Sequence, residues 1–126
     1  MTSYKLAQKG YGHPESPARS PRSVEYDLLA KCTIKLRSAW ANRESDIVSL
    51  VQALSDNNRV WSVLAINVAS PENSLPASLR AQLFYLYEFV ALQSQRIRQK
   101  EAEIDVLIDI NMLVMKGLRG QSEVSS

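Results

Sequence analysis

Apolar residues recur every three or four positions from residue 20 to residue 118, and this spacing is typical of amphipathic helices. At the start of the first such stretch, Ser20 and Pro21 occupy positions where an N-cap and a first-turn proline are favoured. Glu25 follows soon after and favours the positive end of the helix dipole. The apolar stripe comprises Val24, Leu28, Cys32, Leu36 and Ala39, widened by Leu29 and Trp40. The pattern predicts a helix that ends near Asn42.

A second helix is predicted to start around 44–46, and an apolar stripe continues along it toward Ala69. Its members are Ile47, Leu50, Val51, Leu54, Val60, Trp61, Leu64 and Val68. The polar run Ser55–Asn58 interrupts it with residues that are typical of helix caps. Either a third helix restarts there, or one helix continues to Ala69 with a local bend. The run Ser70–Asn73 contains Pro71 and predicts a stop.

The next helix is predicted to be capped by Asn73 or Ser74, with Pro76 in its first turn. One narrow sector of this helix collects Leu75, Leu79, Leu83, Leu86, Val90 and Ile97. A different side carries Tyr85, Phe89 and Leu92, and a third side carries Phe84 and Ala91. A helix that is apolar nearly all round is either central in the fold or in contact with a partner.

A last apolar stripe comprises Ile104, Leu107, Ile108, Val114 or Met115, and Leu118. A single helix over 76–118 would be about 64 Å long at 1.5 Å per residue, too long for one compact domain of this size. We therefore expect a turn near 99–102, a helix end at Gly117 or Gly120, and fraying over 121–126. The whole pattern predicts an all-α fold, a compact bundle of four to five helices.

Residues 1–19 lack a helical or strand period and are rich in Gly, Pro and Ser, which predicts a flexible tail before a single domain over 20–120. The chain has 15 basic and 13 acidic residues, and the tail holds the excess of positive charge. The neutral remainder disfavours a dedicated nucleic-acid binder. With a single cysteine, no apolar run long enough to span a membrane and no signal-peptide pattern, we expect a cytoplasmic protein.

The residues that could carry catalysis are poorly placed for it. The only histidine, His13, falls in the predicted tail, and Cys32 falls on the apolar stripe of the first helix. Asp105 and Asp109 are one helical turn apart, but no metal-binding motif accompanies them, and acidic residues also favour a helix start. The sequence predicts no enzyme, no metal site and no cofactor.

Five large apolar residues are candidates for contact with a partner: Trp61, Phe84, Tyr85, Phe89 and Leu92. Aromatic side chains bury much area with few rotatable bonds and are common at binding hot spots. One interpretation is that a side of this helix receives a partner helix. The other is that the remaining helices of the bundle cover all of these residues.

Three basic residues, Arg96, Arg98 and Lys100, stand near the end of the same helix. They could contact RNA phosphates. Cations are also expected at a helix C-terminus, where they complement the helix dipole.

One ordered set of residues runs from Ser20 to Leu118 with a recognisable spacing: Ser20–Arg22, Glu25, Tyr26, Leu28, Leu29, Thr33, Leu36, Ala39, Leu54, Asn58, Arg59, Trp61, Asn67, Ser70–Asn73, Leu75, Pro76, Leu79–Leu83, Leu107–Asn111, Met115, Gly117 and Leu118. This ordered set resembles the pattern of the FlaF family of flagellar biosynthesis regulators. We interpret the charged residues Arg22, Glu25, Arg80 and Asp109 as forming caps and ion pairs within the chain.

The resemblance implies a cytoplasmic protein without enzymatic activity that is tied to flagellin. Members are expected to act in post-transcriptional control of flagellin production together with the FlbT protein, and as chaperones for flagellin secretion. The expected partner surface is then one that covers the long amphipathic terminal helices of flagellin. The alternative is an RNA-directed translational regulator that acts on flagellin mRNA, alone or with FlbT.

Overall fold

Four helices build the part of the chain that the structure, a computed structural model, describes: the backbone of 21–125 and the side chains of 22–120. They are α1 (Pro21–Ala41), α2 (Ile47–Ala69), α3 (Ala77–Arg98) and α4 (Asp105–Ser125). No strand occurs among these residues. The predicted all-α bundle is confirmed. The predicted tail over 1–19 and the predicted cap Ser20 lie outside the described residues.

The helices form a ring in which one seam is much thinner than the others. Helix α1 packs along both α2 and α4, and α2 also packs along α3. Neighbouring helices run antiparallel, because short connections join them; Glu25 near the start of α1, for example, is bonded to Asn67 near the end of α2. Helices α3 and α4 approach each other at only a few positions. The ring is therefore well packed on three sides and loosely closed on the fourth.

The predicted apolar stripes supply the core, except that Ile47 and Val51 of the second stripe, predicted to be buried, are exposed. Its fully buried members come from every helix and include Leu29, Leu36, Leu54, Trp61, Leu64, Val90 and Leu107. The predicted sector of the third helix is confirmed in Leu83, Val90 and Ile97, which are buried, while Leu79 and Leu86 are partly buried at its edge. Spacing of seven residues places Leu83, Val90 and Ile97 on one face, two turns apart.

The polar run in the second stripe does not break the helix, since α2 is continuous from Ile47 to Ala69. Asn57 is fully buried and Asp56 forms an ion pair with Lys35 of α1, with 3.4 Å between Oδ2 and Nζ. The polar residues of this run therefore lie within a continuous helix and make their contacts from there. The N-cap of α2 is Asp46, within the predicted range, and its carboxylate accepts a hydrogen bond from the backbone N–H of Ser49.

The predicted cap of the third helix is wrong. Pro76 is the N-cap residue of α3, and it makes no side-chain cap bond. The Asn73 side chain is used in the turn instead: its Oδ1 accepts the Leu75 N–H at 2.9 Å, and its Nδ2 donates to the Asn67 carbonyl at 3.1 Å. Asn73 therefore ties the turn to the end of α2 rather than starting α3.

The predicted break near 99–102 is confirmed, because α3 ends at Arg98 and α4 begins at Asp105. The predicted helix end at Gly117 or Gly120 is wrong, since α4 continues to Ser125 and the backbone of 121–125 is helical. Both glycines keep negative φ angles, and an added Cβ would meet nothing within 4 Å at either one. Glycine lowers helix propensity, but here no left-handed residue follows to end the helix.

Candidate partner-binding site

Two of the predicted partner residues project from the side of α3 that faces away from the core. Tyr85 is 66% exposed and Leu92 is 57% exposed, while Phe89 between them is partly buried. Spacing of four and three residues places Tyr85, Phe89 and Leu92 on one side of the helix. We call these three residues the outer face of α3. It is an apolar surface that the other helices leave largely uncovered.

Phe84 lies on another side of α3 and contacts an aromatic neighbour. Its ring meets that of Tyr87 edge to face, with 6.0 Å between the ring centroids. Phe84 nevertheless remains exposed, and Tyr87 is partly buried against the core. This aromatic pair stiffens the surface of α3 beside the outer face.

Trp61 is not on the surface. Its side chain is fully buried in α2, and its indole Nε1 donates a 2.9 Å hydrogen bond to Oδ1 of Asn111 in α4. A buried indole needs such an acceptor, and this one lies inside the core. The structure therefore corrects the prediction that Trp61 belongs with the exposed partner-binding residues.

Asn111 is the centre of a buried polar cluster that joins three helices. Its Nδ2 donates to Oγ1 of Thr33 in α1 at 3.1 Å and to Oδ1 of Asn57 in α2 at 2.8 Å, while its Oδ1 accepts the Trp61 indole. The Thr33 hydroxyl in turn donates to the Leu29 carbonyl at 2.7 Å. We call Thr33, Asn57, Trp61 and Asn111 the amide junction. Only Nδ2 of Asn57 lacks a hydrogen-bond partner there.

A second polar contact holds the end of the bundle where α1 begins. Glu25 is buried, and its two carboxylate oxygens accept from Arg22 at 3.0 Å and from Nδ2 of Asn67 at 2.8 Å. The interpretation of Arg22 and Glu25 as an ion pair within the chain is confirmed. Because the Asn67 carbonyl also accepts from Asn73, this contact joins α1, α2 and the α2–α3 turn.

An apolar groove of about 110 Å³ runs along the thin seam between α3 and α4. Its lining, which contains no charged side chain, consists of Leu75, Leu79, Gln82, Leu83, Leu86, Leu113, Val114, Gly117 and Leu118. Leu113 at its rim is 67% exposed. Over Gly117 the groove is open, since an added Cβ would touch nothing. We call this the α3–α4 groove.

The groove and the outer face of α3 adjoin. Phe89 follows Leu86 by three positions and Gln82 by seven, so on the helix surface it borders the two groove residues. Together they form one apolar strip that passes from Tyr85 across Phe89 to Leu113 on α4. The α3 half of this strip was predicted from the sequence, and the α4 half was not. The sequence did contain a signal for the α4 half, because Leu113 is apolar but falls outside the regular core stripe of its helix.

The basic residues at the end of α3 are exposed. Two of them, Arg96 and Lys100, take part in the hydrogen bonds that end the helix. Lys100 has a left-handed φ of 63°, its N–H donates to the Ile97 carbonyl, and the Glu101 N–H donates to the Arg96 carbonyl at 2.8 Å. This is the pattern of a Schellman C-terminus. The Arg96 guanidinium also reaches the Glu101 carbonyl at 3.4 Å. Contact of Arg96, Arg98 and Lys100 with RNA stays a prediction.

Of the residues considered for catalysis, Cys32 is held in its less reactive form, and His13 lies outside the described residues. Burial raises the pKa of the Cys32 thiol, and nearby Asp56 adds to this shift, so the reactive thiolate is disfavoured. Within 21–125 the acidic, cysteine and histidine side chains form no cluster that could hold a metal ion. None of the helices in the same range has the length and apolarity that crossing a bilayer requires.

Comparison with known proteins gives one result. No curated protein and no solved structure matches the chain. The family model described as "Flagellar protein FlaF" matches residues 7–118, which include α1 to α3, α4 as far as Leu118 and the whole lining of the α3–α4 groove. The chain therefore belongs to the FlaF family of flagellar proteins.

Proposed function

We propose that this protein binds flagellin in the cytoplasm, and that it serves both as a secretion chaperone and in post-transcriptional control of flagellin production. The observation that carries the proposal is the continuous apolar strip formed by the outer face of α3 and the α3–α4 groove. Contiguous exposed apolar surface on a small protein commonly marks a site of association.

The strip has the character of a receptor for an amphipathic helix. Tyr85, Phe89 and Leu92 would contact apolar side chains at helical spacing, and the leucines of the groove would bury a further anchor. Such contacts need little directional chemistry, so they suit a partner that presents a long apolar stripe. Flagellin's terminal helices are partners of this kind. Covering them before export would prevent premature polymerisation and requires no catalytic step.

The regulatory part of the proposal follows from the same binding. A chaperone that holds unexported flagellin reports how much of it has accumulated, and this state can be read by FlbT in the control of flagellin mRNA. In this scheme the protein acts through flagellin and FlbT. The exposed basic residues of α3 need not touch RNA.

The test removes exposed apolar side chains from the strip and compares the result with an equivalent removal elsewhere. In the double variant Tyr85→Ala with Leu92→Ala, flagellin affinity measured by calorimetry should fall at least tenfold, because both side chains would be buried on binding. The control is Ile34→Ala with Val48→Ala, which removes side chains that are 69% and 72% exposed on α1 and α2.

Circular dichroism should show the same helix content for both variants and the parent. Equal loss of affinity in the two variants would remove the assignment of the strip as the binding site. Absence of any complex between the parent protein and flagellin would overturn the proposed function itself.

A further inference from the structure

We propose that residues 4–11 of this chain occupy the α3–α4 groove when no partner is bound. That this segment occupies the groove does not depend on the identity of the partner. That flagellin must displace the segment in order to bind rests on the proposed function. Four observations support the proposal: the openness of the groove, the place where the chain enters α1, the composition of the segment and the extent of the family match.

The first observation is that the seam is incomplete. Helices α3 and α4 meet at few positions, Leu113 is largely exposed, and the space over Gly117 is empty. Gly117 has an ordinary helical backbone, so no turn or close contact in the described structure requires a glycine there. Glycine inside a helix costs about 1 kcal/mol relative to alanine. If the groove accepts another stretch of chain, Gly117 has a role, because a residue without a side chain lets that backbone approach closely.

The second observation is the position of Pro21, the first residue of α1. Glu25 joins this end of α1 to Asn67 and the turn that follows α2. Leu75, at the end of the same turn, lines the groove. Pro21 thus lies at the end of the bundle where Leu75 lines the groove. Ten residues can span up to about 33 Å, whereas the intervening helix α4 is about 10 Å across. Residues near Tyr11 can therefore reach the groove.

The third observation is the chemistry of the segment. It carries the apolar side chains Tyr4, Leu6 and Tyr11, with lysines at positions 5 and 9 between them. The groove lining is uncharged, so apolar side chains can enter it while the lysine side chains stay in water. Glycine on both sides of Tyr11 permits the backbone to lie close to Gly117.

The fourth observation is the extent of the family match. It begins at residue 7, well before α1, and ends at Leu118, the last residue of the groove lining. The pattern shared by the family therefore includes part of the segment as well as its receptor. A tethered segment competes at an effective concentration in the millimolar range, so it would shield the leucines yet yield to a tighter partner.

Cysteine cross-linking in the full-length chain tests the occupancy without flagellin. With Cys32→Ala as background, His13→Cys is combined with Gln82→Cys at the groove rim, or with Gln52→Cys in the cleft between α1 and α2 as the matched control. Under mild oxidation the Gln82 pair should form its disulfide at least tenfold faster. Adding Leu6→Ser and Tyr11→Ser should abolish that advantage. Equal rates for the two pairs, or an advantage that survives these serines, would overturn the proposal.

A second measurement separates this proposal from the function. If flagellin displaces the segment, the Leu6→Ser/Tyr11→Ser variant should bind flagellin several-fold more tightly than the parent chain. Unchanged or weaker binding would overturn the competition. A fast Gln82 cross-link in a protein that binds no flagellin would leave the occupancy standing and remove only the proposed function.

Discussion

Helix α4 meets the rest of the molecule through two unlike sides. Toward α1 and α2 it presents Asn111, whose hydrogen bonds to Thr33, Asn57 and Trp61 are buried and directional. Toward α3 it presents Leu113 and Gly117, which make an open apolar seam. Hydrogen bonds of fixed geometry are satisfied at only one rotation and one axial position of a helix. Apolar contacts tolerate a change of neighbour. The first side defines where α4 sits, and the second leaves it able to receive another segment.

The largest expected difference between the two sides is the cost of losing a leucine. Leu107→Ala should lower the free energy of unfolding by about 2–5 kcal/mol, because this side chain is fully buried and its removal leaves a cavity. Leu113→Ala, on the same helix, should cost clearly less, because the helices of the bundle leave this side chain 67% exposed and only residues 4–11 would cover it. Urea denaturation followed by circular dichroism measures both. A cost for Leu113→Ala equal to that of Leu107→Ala would mean that α3 and α4 bury the two leucines alike.

The amide junction predicts the next largest effect. Asn111→Leu should destabilise the protein by about 1–3 kcal/mol, because the indole N–H of Trp61 is left buried without an acceptor. Trp61→Phe should cost less in the Asn111→Leu background than in the parent, because there it also removes the unpaired donor.

The double-mutant cycle in the same denaturation experiment measures the coupling between the two residues. Strictly additive effects would contradict a direct bond between them. The exposed pair Ile34→Leu and Val48→Leu provides the control for non-specific changes on α1 and α2.

Much of the fold could be predicted from the sequence, because helical periodicity depends on local spacing. The stripes located all four helices, and chain length required the break between α3 and α4. Boundaries that depend on tertiary contacts could not be predicted. Asn73 has the chemistry of a cap, yet in the fold it bonds to the Asn67 carbonyl. The glycines of α4 resemble a helix end, yet no left-handed residue follows.

The candidate site was only half predictable for a related reason. Exposure of Tyr85 and Leu92 follows from their angular distance from the core stripe, whereas burial of Trp61 depends on Asn111, fifty positions away. Thr33, Trp61, Asn67 and Asn111 all carry the family resemblance and all make hydrogen bonds inside the bundle. These residues stabilise the fold, so the family resemblance did not indicate which surface binds a partner.

Two glycines of α4 provide a further comparison, between a position in the groove and a position outside it. Gly120→Ala should stabilise the fold by about 0.5–1 kcal/mol, because its Cβ meets no obstacle and alanine favours the helix. Gly117→Ala should stabilise it less, because its Cβ would stand where residues 4–11 lie over the groove. Only Gly117 lines the groove. If residues 4–11 occupy the groove, Gly117→Ala should slow the cross-link between positions 13 and 82, whereas Gly120→Ala should leave its rate unchanged. Identical cross-linking rates in the two variants would show that nothing passes closely over Gly117.

The smallest expected effect is on the pH dependence of stability. It compares the amide junction, which is neutral, with an ionised polar contact at the surface. Asp46 caps α2, and its carboxylate accepts from the Ser49 hydroxyl at 2.6 Å and from the Ser49 N–H at 3.1 Å. These bonds, the hydroxyl first, hold the pKa of Asp46 below its ordinary value of 3.8. The folded state thus favours the ionised form. The resulting stabilisation is present above pH 3.8 and is lost as the pH falls through the lowered pKa.

Asp46→Asn separates the charge from the cap, since asparagine caps a helix well but does not ionise. The parent protein should melt slightly above this variant at pH 7, and the gap should close on titration to pH 2. A gap that persists at pH 2 would mean that the carboxylate contributes through its shape rather than its charge. Asn111 has no ionisable atom, so the melting difference between the parent and Asn111→Leu should stay constant over the same titration. A pH-dependent difference there would show that the junction is coupled to a charged group and is less isolated than its burial indicates.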